Sequence, residues 1–280
     1  MAFLVTGAAG FIGSHLVRIL DSQKRQLIAL DRDPLEDHIG VPMLDDLSVT
    51  SSSRIVHYLK RFTPIEGIFH LAATAGIGAA PRALLGDNLI ALQVMIDVAS
   101  ELCCPLVFSS SCAVYSAAGF GARSGWSLYG ATKLVGEQMI EARLDRYRIC
   151  RLSNVYGPMK RPKAVVGRWV AAAQKGDPLE VVQPGHKERD FVYVADVCRG
   201  LIAAMERPGK AIVDLCTGVH TPINMLARMF SERWKTATFS YVSGNPGIAT
   251  PQGSPEAAQT ELGWQPAIPL DAGLDSLVSS

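Results

Sequence analysis

Three residues of this chain have side chains that could together move a proton: Ser111, Tyr129 and Lys133. Tyr129 and Lys133 are four positions apart, so both lie on one face if this stretch is helical. A phenol, with a pKa of about 10, is a poor base at neutral pH, but an ammonium held nearby lowers that pKa. Tyr129 could then take a proton from a substrate hydroxyl while Ser111 hydrogen-bonds the same oxygen. Because this spacing occurs by chance in many helices, the pair alone does not establish catalysis.

A glycine-rich stretch near the start of the chain could bind phosphate. Residues 2–5 are apolar and predict a short buried strand, and the apolar residues after Gly10 recur at helical spacing. Strand, glycine turn and helix in this order open a dinucleotide-binding unit. Gly7 permits the tight turn, Gly10 lets a pyrophosphate approach the backbone, and Gly13 lets helix and strand pack closely. The competing interpretation is a glycine-rich turn that binds nothing.

Asp31 supports the dinucleotide interpretation and indicates which dinucleotide is bound. It ends a second apolar run, residues 26–30, about 20 residues past the turn, as such folds require. A carboxylate there accepts hydrogen bonds from the adenosine ribose hydroxyls and repels a 2′-phosphate, which favours NAD over NADP. Arg32 is the opposing evidence, since its guanidinium could bind a 2′-phosphate.

Predicted strands and helices alternate and would position these residues. Further strands are predicted over residues 41–44, 67–73, 106–108 and 148–152, with helices capped near 51–53, over 82–102 and from 129 onward. The alternation predicts an α/β fold of the Rossmann type, a doubly wound parallel sheet with helices on both faces. Ligands of such sheets bind at the carboxyl ends of the strands. The residues that fall there are Gly7 to Gly13, Asp31, Ala72, Ser111 and Asn154.

The pattern loosens beyond residue 158. Helices are predicted over 165–175 and 195–205 and strands over 179–182 and 211–215, the last returning to the main sheet. Thr221 is predicted to cap a helix with Pro222 in its first turn, and the tail from 255 to 280 to form two short helices. His70, between Phe69 and Leu71, is predicted to be a packed histidine and not a catalytic one.

Composition favours an ordinary soluble globular protein. Of 280 residues, 48% are hydrophobic and 19% charged, enough for a large core in one or two domains. The net charge of +1 gives no field for nucleic acid or an anionic membrane, so neither is an expected partner. The six cysteines show no Cys-x-x-Cys spacing, which favours free thiols in a reducing, cytoplasmic compartment and no metal site. We expect neither a signal peptide nor an apolar run long enough to span a bilayer.

Seven segments match the motifs of a known family in the family's order. They are residues 6–13, 70–73, 109–111, 129–133, 154–158, 189–194 and 262–266. With them the chain resembles the extended short-chain dehydrogenase/reductases of the nucleotide-sugar epimerase and dehydratase family over nearly its whole length. The resemblance implies an NAD(P)-binding domain, residues 1–157 plus 190–216. It also implies a smaller C-terminal part, residues 158–189 plus 217–280, that holds a nucleoside-diphosphate sugar.

The resemblance also implies roles for single residues. Ser111, Tyr129 and Lys133 are the implied catalytic trio, acting as hydride passes to or from the nicotinamide. Asn154 and Arg189 are implied near the sugar-nucleotide pyrophosphate, where an arginine fork suits phosphate oxygens; an ordinary surface ion pair is the alternative for Arg189. The implied cofactor-binding residues are Gly7, Gly10, Phe11, Ile12, Gly13, Asp31, Asp46, Leu47 (these last two near the adenine), Leu71, Ala72, Ala73, Asn88 (behind the lysine), Tyr129 and Lys133.

The type of reaction is narrowed by the two residues after Ser111. Sugar 4,6-dehydratases carry a threonine and an acidic pair where this chain has Ser111, Cys112 and Ala113, so the extra acid and base for dehydration are missing. NAD-dependent 4-epimerisation and reduction of a 4-keto sugar, which more often uses NADPH, remain, and Asp31 favours the epimerase. A non-catalytic dinucleotide-binding regulator is a further alternative. So is a reductase of steroid- or flavonoid-like ketones, which would not need Arg189 or Asn154.

Two expectations concern the sugar pocket and the assembly. The stretch between Ser111 and Tyr129 is shorter than is usual in the family, which implies a smaller, altered or more open sugar pocket. By analogy with the family, helices over 88–102 and 129–143 pair across a two-fold axis, which predicts a homodimer.

Overall fold

A computed structural model describes residues 1–35, 39–62, 64–75, 79–118, 127–159, 164–183, 185–235, 237–243 and 253–278. The strands are β1 (Ala2–Thr6), β2 (Gln26–Asp31), β3 (Val41–Leu44), β4 (Ile65–His70), β5 (Leu106–Ser111), β6 (Tyr147–Leu152), β7 (Asn154–Tyr156), β8 (Leu179–Val182), β9 (Glu188–Tyr193), β10 (Lys210–Leu215), β11 (His220–Pro222) and β12 (Phe239–Val242). The helices are α1 (Phe11–Ser22), α2 (Ser52–Leu59), α3 (Pro81–Leu85), α4 (Ala91–Glu101), α5 (Val114–Ala118), α6 (Leu128–Arg143), α7 (Val165–Lys175), α8 (Val194–Glu206), α9 (Ile223–Arg233), α10 (Glu256–Leu262) and α11 (Leu270–Val278). A π-helical turn, Gly86–Ile90, joins α3 to α4.

The main sheet has seven strands in the order β10-β6-β5-β4-β1-β2-β3, and every neighbouring pair is parallel. The order steps outward from β1 in both directions, as in a doubly wound sheet. The predicted α/β fold of the Rossmann type is therefore confirmed, including the return of β10 to the main sheet.

Both faces of the main sheet are covered, because alternate side chains of each strand enter two different cores. Phe3 and Val5 of β1 pack on one face with α1 and α8, whereas Leu4 packs on the other with α2, α4 and α6. Strands buried on both faces are apolar throughout. For this reason they appear in the sequence as short continuous apolar runs.

Two small sheets are formed by strands that follow β6, one ordered β11-β9-β7 and the other β12-β8. A third core packs against them, in which Trp169 of α7 meets Phe230 of α9 edge-on with ring centroids 5.4 Å apart. Because β7 follows β6 directly and pairs with β9, this part is attached at the carboxyl end of β6.

Trp264 fixes the tail of the chain to α8. Its indole N–H donates to the carbonyl oxygen of Asp196 at 2.9 Å. The Asp196 carboxylate in turn accepts the N–H groups of Ala267 and Ile268 at 3.0 and 2.9 Å. The segment 262–266 therefore anchors the two short helices predicted for the tail, α10 and α11.

The structure differs from the predicted elements at three strands. The strand predicted over 67–73 ends at His70, and β7 lies where the sequence predicted a break after β6. Thr221 does not cap a helix. It lies in β11, paired with β9, and Pro222 precedes α9. Strand pairing here overrides the local preference of threonine for a helix start.

The helix predicted over 82–102 forms as α3, the π turn and α4 in succession. This stretch, Pro81–Glu101, is 21 residues long and apolar enough, by length and composition, to cross a membrane. The expectation that no apolar run reaches that length is therefore wrong. Half of its apolar window is buried inside the protein, where α4 packs beside β4, as the core helix of a globular protein does.

Candidate active site

The glycine turn between β1 and α1 lies against the segment that follows β4. Gly7 has φ +70°, and a Cβ on it would lie 2.6 Å from the amide nitrogen of Ala72. The N–H groups of Leu71 and Ala72 donate to the carbonyl and hydroxyl oxygens of Thr6 at 3.2 and 3.3 Å, and Ala73 is exposed beside them. Only glycine permits this approach.

Gly10 and Gly13 shape the start of α1. The N–H of Gly10 donates to the carbonyl oxygen of Gly7 at 3.0 Å, and no described side chain caps the helix. Gly13 lies so near that its Cβ would be 2.0 Å from the same oxygen. An uncapped helix start offers its first N–H groups, those of Phe11 and Ile12 among them, to a phosphate.

Asp31 is held against the glycine turn from the side of β2. Its Oδ2 accepts the N–H of Ala9 at 2.9 Å, and its Oδ1 accepts the N–H of Asp33 at 3.0 Å. A carboxylate oxygen has two lone pairs, so each could accept a ribose hydroxyl as well. The structure therefore brings Asp31 and the glycines together.

Asp46 and Leu47 follow β3 beside the end of β2, where the N–H of Asp45 donates to the carbonyl of Asp31 at 3.0 Å. Hydrogen bonds from the hydroxyl and N–H of Ser48 lower the pKa of Asp46. Leu47 is 5% exposed and its side chain packs in the core. Its backbone, and not its side chain, is what it could offer to a ligand.

The start of α6 is fixed against the loop after Ser111. Ser127 caps the helix by accepting the N–H of Gly130 at 2.8 Å. A Cβ on Gly130 would lie 2.5 Å from the carbonyl oxygen of Ala113, so the helix approaches this loop at backbone distance. This approach brings the first turn of α6 to the carboxyl end of β5.

The structure brings Ser111, Tyr129 and Lys133 together. The side chains of Tyr129 and Ser111 lie near enough to each other for Ser111 to lower the pKa of the phenol. The ammonium of Lys133 donates to the carbonyl oxygen of Ser109 at 2.7 Å. It lies 4.6 Å from the ring centroid of Phe108 and 5.9 Å from that of Tyr129.

Burial shifts the pKa values of Tyr129 and Lys133 in opposite directions. It raises the pKa of Tyr129 to about 12, opposed by the hydrogen bond with Ser111. It lowers the pKa of Lys133 to about 7, opposed by the carboxylate of Glu137. The sequence predicts a lowered pKa for Tyr129, and the structure shows a raised one, because removal of the phenol from water outweighs the hydrogen bond.

Asn88 supports α6 from the π turn. It is 3% exposed, and its Nδ2 donates to the hydroxyl of Thr132 at 3.0 Å and to the carbonyl of Thr74 at 3.1 Å. Its Oδ1 accepts the N–H of Thr74 at 2.8 Å. Asn88 therefore holds the residue next to Lys133 and ties it to the segment after β4.

A buried network that the sequence analysis did not single out lies behind α6. Arg151 of β6 donates to Glu137 through Nε at 2.9 Å and Nη2 at 2.6 Å, and Ser110 donates its hydroxyl to the same carboxylate. Arg151 also donates to the hydroxyl of Tyr115 at 3.1 Å, and that hydroxyl donates to Asp214 at 2.7 Å. The network joins α6 to three strands of the main sheet.

Helical spacing could have revealed Glu137. Tyr129, Lys133 and Glu137 follow one another at intervals of four, so all three share one face of α6. The other members of the network are distant in sequence, and their association depends on the strand order, which the sequence alone does not give.

Asn154 and Arg189 lie on neighbouring strands beyond the trio. β7 follows β6, whose last residue pairs with Ser111, and β7 pairs with β9. Asn154 donates to the carbonyl of Asp190 at 3.2 Å, Arg189 donates to the carbonyl of Glu188 at 2.9 Å, and burial lowers the pKa of Arg189. The structure therefore places both on one small sheet next to the trio.

The buried carboxylate of Asp190 holds a different set of groups. It accepts the hydroxyl of Ser153 at 3.0 Å, the N–H and hydroxyl of Thr217, and the N–H of Gly218 at 2.7 Å. Asp190, the residue after Arg189 in β9, thus joins the end of β6 to the loop after β10.

His70 is a packed residue, as predicted. It is 1% exposed, its Nδ1 lies 2.8 Å from the hydroxyl of Thr6, and its ring stacks on that of Phe108. Burial lowers its pKa to about 3, with Lys133 contributing, so the ring is neutral at physiological pH. Within the described part of the chain, no group of His, Cys, Asp or Glu side chains is placed to hold a metal ion.

The chain matches the model of a protein family described as the NAD dependent epimerase/dehydratase family over residues 3–215. This range contains the main sheet except for Ala2, together with the glycine turn, the trio and the strands that carry Asn154 and Arg189.

Individual proteins show the same similarity. The chain is 32% identical over 239 residues to a Bacillus subtilis (strain 168) protein named uncharacterized UDP-glucose epimerase YtcB, covering 74% of this chain and 73% of that one. It is 27% identical over 303 aligned residues to UDP-glucuronic acid decarboxylase 6 of Arabidopsis thaliana, covering 98% and 87%.

Solved structures are similar over the full length. The chain has a TM-score of 0.88 and 30% identity with MoeE5 in complex with UDP-glucuronic acid and NAD, covering 100% of this chain and 98% of that one. With the UDP-glucose 4-epimerase of Thermotoga maritima, bound to UDP-glucose, the TM-score is 0.90 and the identity 26%, with the same coverage.

Replacing Gly13 by alanine is expected to destabilise the protein by about 1–3 kcal/mol, because overpacking in a filled site has that cost. The added Cβ would lie 2.0 Å from the carbonyl oxygen of Gly7. Urea unfolding measures the change. Gly86→Ala is the matched control, since among the described residues a Cβ there meets only the Cβ of Ser48 at 3.6 Å. Equal stability of the Gly13→Ala variant and the parent would contradict the close approach.

Replacing Lys133 by methionine is expected to stabilise the protein most below neutral pH. The pKa of Lys133 is lowered to about 7 in the folded protein, so the unfolded chain binds more protons above that pH and the parent gains stability as pH rises. The unfolding free energy of the variant should exceed that of the parent by the largest amount below pH 7. This excess should fall by up to about 1.4 kcal/mol per pH unit between about pH 7 and pH 10.

Urea unfolding of both proteins over this pH range provides the measurement. Lys235→Met, at an exposed position, is the control for the loss of an ammonium that is not buried. A pH-independent difference for Lys133→Met would show that the buried ammonium keeps its ordinary pKa.

Proposed function

Because the chain belongs to the NAD dependent epimerase/dehydratase family, we propose that it is an NAD-dependent 4-epimerase of a nucleoside-diphosphate sugar. Such an enzyme oxidises the C4 carbinol of the sugar to a ketone and returns hydride to the opposite face, which inverts C4. The observation that carries the proposal is the proximity of Tyr129, Ser111 and Lys133 at the sheet edge that also carries the glycine turn.

The described residues fit an NAD molecule. The turn at Gly7, Gly10 and Gly13 leaves the uncapped start of α1 open to a pyrophosphate, and Asp31 has lone pairs for the adenosine ribose hydroxyls. When bound, NAD supplies the acceptor and donor of hydride. The solved relative MoeE5 was obtained with NAD, which supports the same cofactor here.

Tyr129 is proposed to move the proton. Its hydroxyl would take the proton of the C4 hydroxyl as the ketone forms and return it as the ketone is reduced, while Ser111 hydrogen-bonds the same oxygen. Because burial raises the pKa of Tyr129 to about 12, its anion needs a cation close by. Lys133, whose ammonium lies 5.9 Å from the tyrosine ring, provides that cation.

The nucleotide-sugar site is proposed to extend from Ser111 onto the small sheet. Asn154 and Arg189 would bind the pyrophosphate, and the C-terminal part, residues 158–189 plus 217–280, would enclose the sugar nucleotide. UDP-glucose and UDP-glucuronic acid in the two solved relatives support this class of substrate.

The neighbours of Ser111 disfavour dehydration. Cys112 is buried, burial raises the pKa of its thiol, and Ala113 has no acid or base. The nearby carboxylate of Asp214 is engaged by Tyr115 and by the N–H of Ser254. Reduction of a 4-keto sugar would act at the same carbon, and the Arabidopsis relative is named as a decarboxylase of UDP-glucuronic acid. Product analysis must therefore separate these two reactions from epimerisation.

A homodimer in the cytoplasm is proposed for the assembly and its location. Ile90 of the π turn and Val135 of α6 are 51% and 42% exposed on elements that pack together, and a second copy could cover these two apolar side chains. The six cysteines are free, as expected for a reducing compartment.

Replacing Tyr129 by phenylalanine is expected to lower kcat by about a hundredfold or more, because a general acid-base contributes about 10²–10⁴-fold. Binding of NAD should stay within about threefold of the parent, since the hydroxyl is assigned to the substrate oxygen. The measurement is product formation from UDP-glucose and UDP-glucuronic acid, with NAD binding followed by calorimetry. Unchanged turnover would reject the mechanism.

Product identity separates the candidate reactions in the same assay. An epimerase converts the sugar nucleotide to its C4 epimer with no net change in added cofactor. A decarboxylase releases carbon dioxide from UDP-glucuronic acid, and a reductase consumes a reduced dinucleotide with a 4-keto sugar. Either of the last two results, without a C4 epimer, would contradict the 4-epimerase.

Replacing Ile90 by aspartate is expected to convert the dimer to a monomer, because an unpaired charge buried in an apolar interface costs several kcal/mol. Light scattering coupled to size-exclusion chromatography gives the mass. Val219→Asp, at a 65% exposed position outside the π turn and α6, is the control and should leave the dimer intact. A parent protein that elutes as a monomer would refute the proposed dimer.

A further inference from the structure

Arg32, next to Asp31 at the end of β2, is engaged by Asp87 of the π turn. Its Nη1 and Nη2 donate to the two carboxylate oxygens of Asp87 at 3.2 and 3.1 Å. Such a two-point pair fixes the position and the plane of the guanidinium. The side chain of Arg32 is 51% exposed and that of Asp87 only 14%, so the carboxylate is the anchored partner.

The π turn anchors Asp87. Helical turns of this kind are rare and frequently occur at functional sites. The hydroxyl of Thr74 donates to Asp87, while Asn88 accepts the N–H of Thr74 at 2.8 Å and donates to its carbonyl at 3.1 Å. Asp87 and Asn88, two consecutive residues of the turn, are therefore both hydrogen-bonded to Thr74. The fold itself, and not the ion pair alone, positions the Asp87 carboxylate.

The ion pair between Arg32 and Asp87 reduces the positive charge that the ribose end of the site presents to a 2′-phosphate. An arginine beside the ribose carboxylate is the group that accommodates the 2′-phosphate of NADP. Here the positive charge of Arg32 is balanced by Asp87, and the carboxylates of Asp33 and Asp46 act on it as well. Asp31 adds a further negative charge next to it.

We propose that Asp87 determines cofactor specificity: by holding Arg32 in a two-point ion pair, it withdraws that guanidinium from a 2′-phosphate and so enforces the preference for NAD. The inference rests on the proposed dinucleotide site. It adds the residue that explains why NAD is preferred although Arg32, which could bind a 2′-phosphate, lies next to Asp31. Asp87 is a positioning residue, since it acts through Arg32.

The test measures the affinities of the full chain, freed of bound dinucleotide, for NAD and NADP by isothermal titration calorimetry. Asp87→Asn keeps the size of the side chain and an acceptor for Thr74 but removes the charge. The ratio of the NADP to the NAD dissociation constant is expected to fall about tenfold, or about 1.4 kcal/mol. NAD affinity itself should change by less than about threefold.

Adding Arg32→Ala to Asp87→Asn is the matched control and should restore the ratio of the parent. A ratio within about twofold of the parent in Asp87→Asn, or a gain for NADP that survives Arg32→Ala, would overturn the proposal. Arg32→Ala alone, which does not depend on the folding of the Asp87 variant, should leave NADP affinity within about twofold. A tenfold loss of NADP affinity in Arg32→Ala would show that Arg32 already binds NADP in the parent, and would also overturn the proposal.

These measurements need no turnover, so their failure is distinct from failure of the proposed epimerase. If Tyr129→Phe keeps full activity while Asp87→Asn shifts the ratio, the catalytic proposal is rejected and the specificity proposal stands. If the parent binds neither dinucleotide, both are rejected.

Discussion

The burial of the Lys133 ammonium against the carbonyl of Ser109 is the interaction on which the rest of the site depends. It sets the distance between α6 and the end of β5, and with it the meeting of Tyr129 and Ser111. Burial of a cation away from water costs free energy unless neighbouring groups interact favourably with its charge. The compensation comes from the Phe108 ring, from the carbonyl, and from Glu137 one turn further along the helix. The site is therefore built around a cation that the fold keeps close to losing its proton.

The pair of Glu137 and Arg151 extends this arrangement into the sheet. A buried ion pair seldom adds stability over apolar packing of the same volume, but it is strongly destabilising to remove one partner. Here each partner has a further bond, Glu137 with Ser110 and Arg151 with Tyr115. A satisfied network of this kind fixes the rotation of α6 about its axis more sharply than apolar contacts do. That rotation decides where Tyr129 and Lys133 point, so the network serves the geometry of the site.

The sequence predicted what depends on local pattern and missed what depends on strand order. The glycine turn, Asp31 and the order of strands and helices follow from residue type and spacing, and the structure brings them together as expected. β7 and β11 are three residues long, too short for any periodicity, and Thr221 has a local preference that pairing with β9 overrides. The raised pKa of Tyr129 depends on depth of burial, and the network around Arg151 on contacts between residues far apart in the chain. Neither can be obtained from spacing alone.

The position of β10 beside β6 has a consequence for synthesis of the chain. A ribosome delivers β1 to β6 first, and the partner of β6 only after the segments that form β7, β8, β9 and α8. At about 5–20 residues per second, the outer edge of β6 stays unpaired for several seconds in a nascent chain that is otherwise ready to fold. An unpaired apolar edge is a template for association with other chains. Arg148 and Arg151 lie within β6, and charged residues in an edge strand are a known protection against such association.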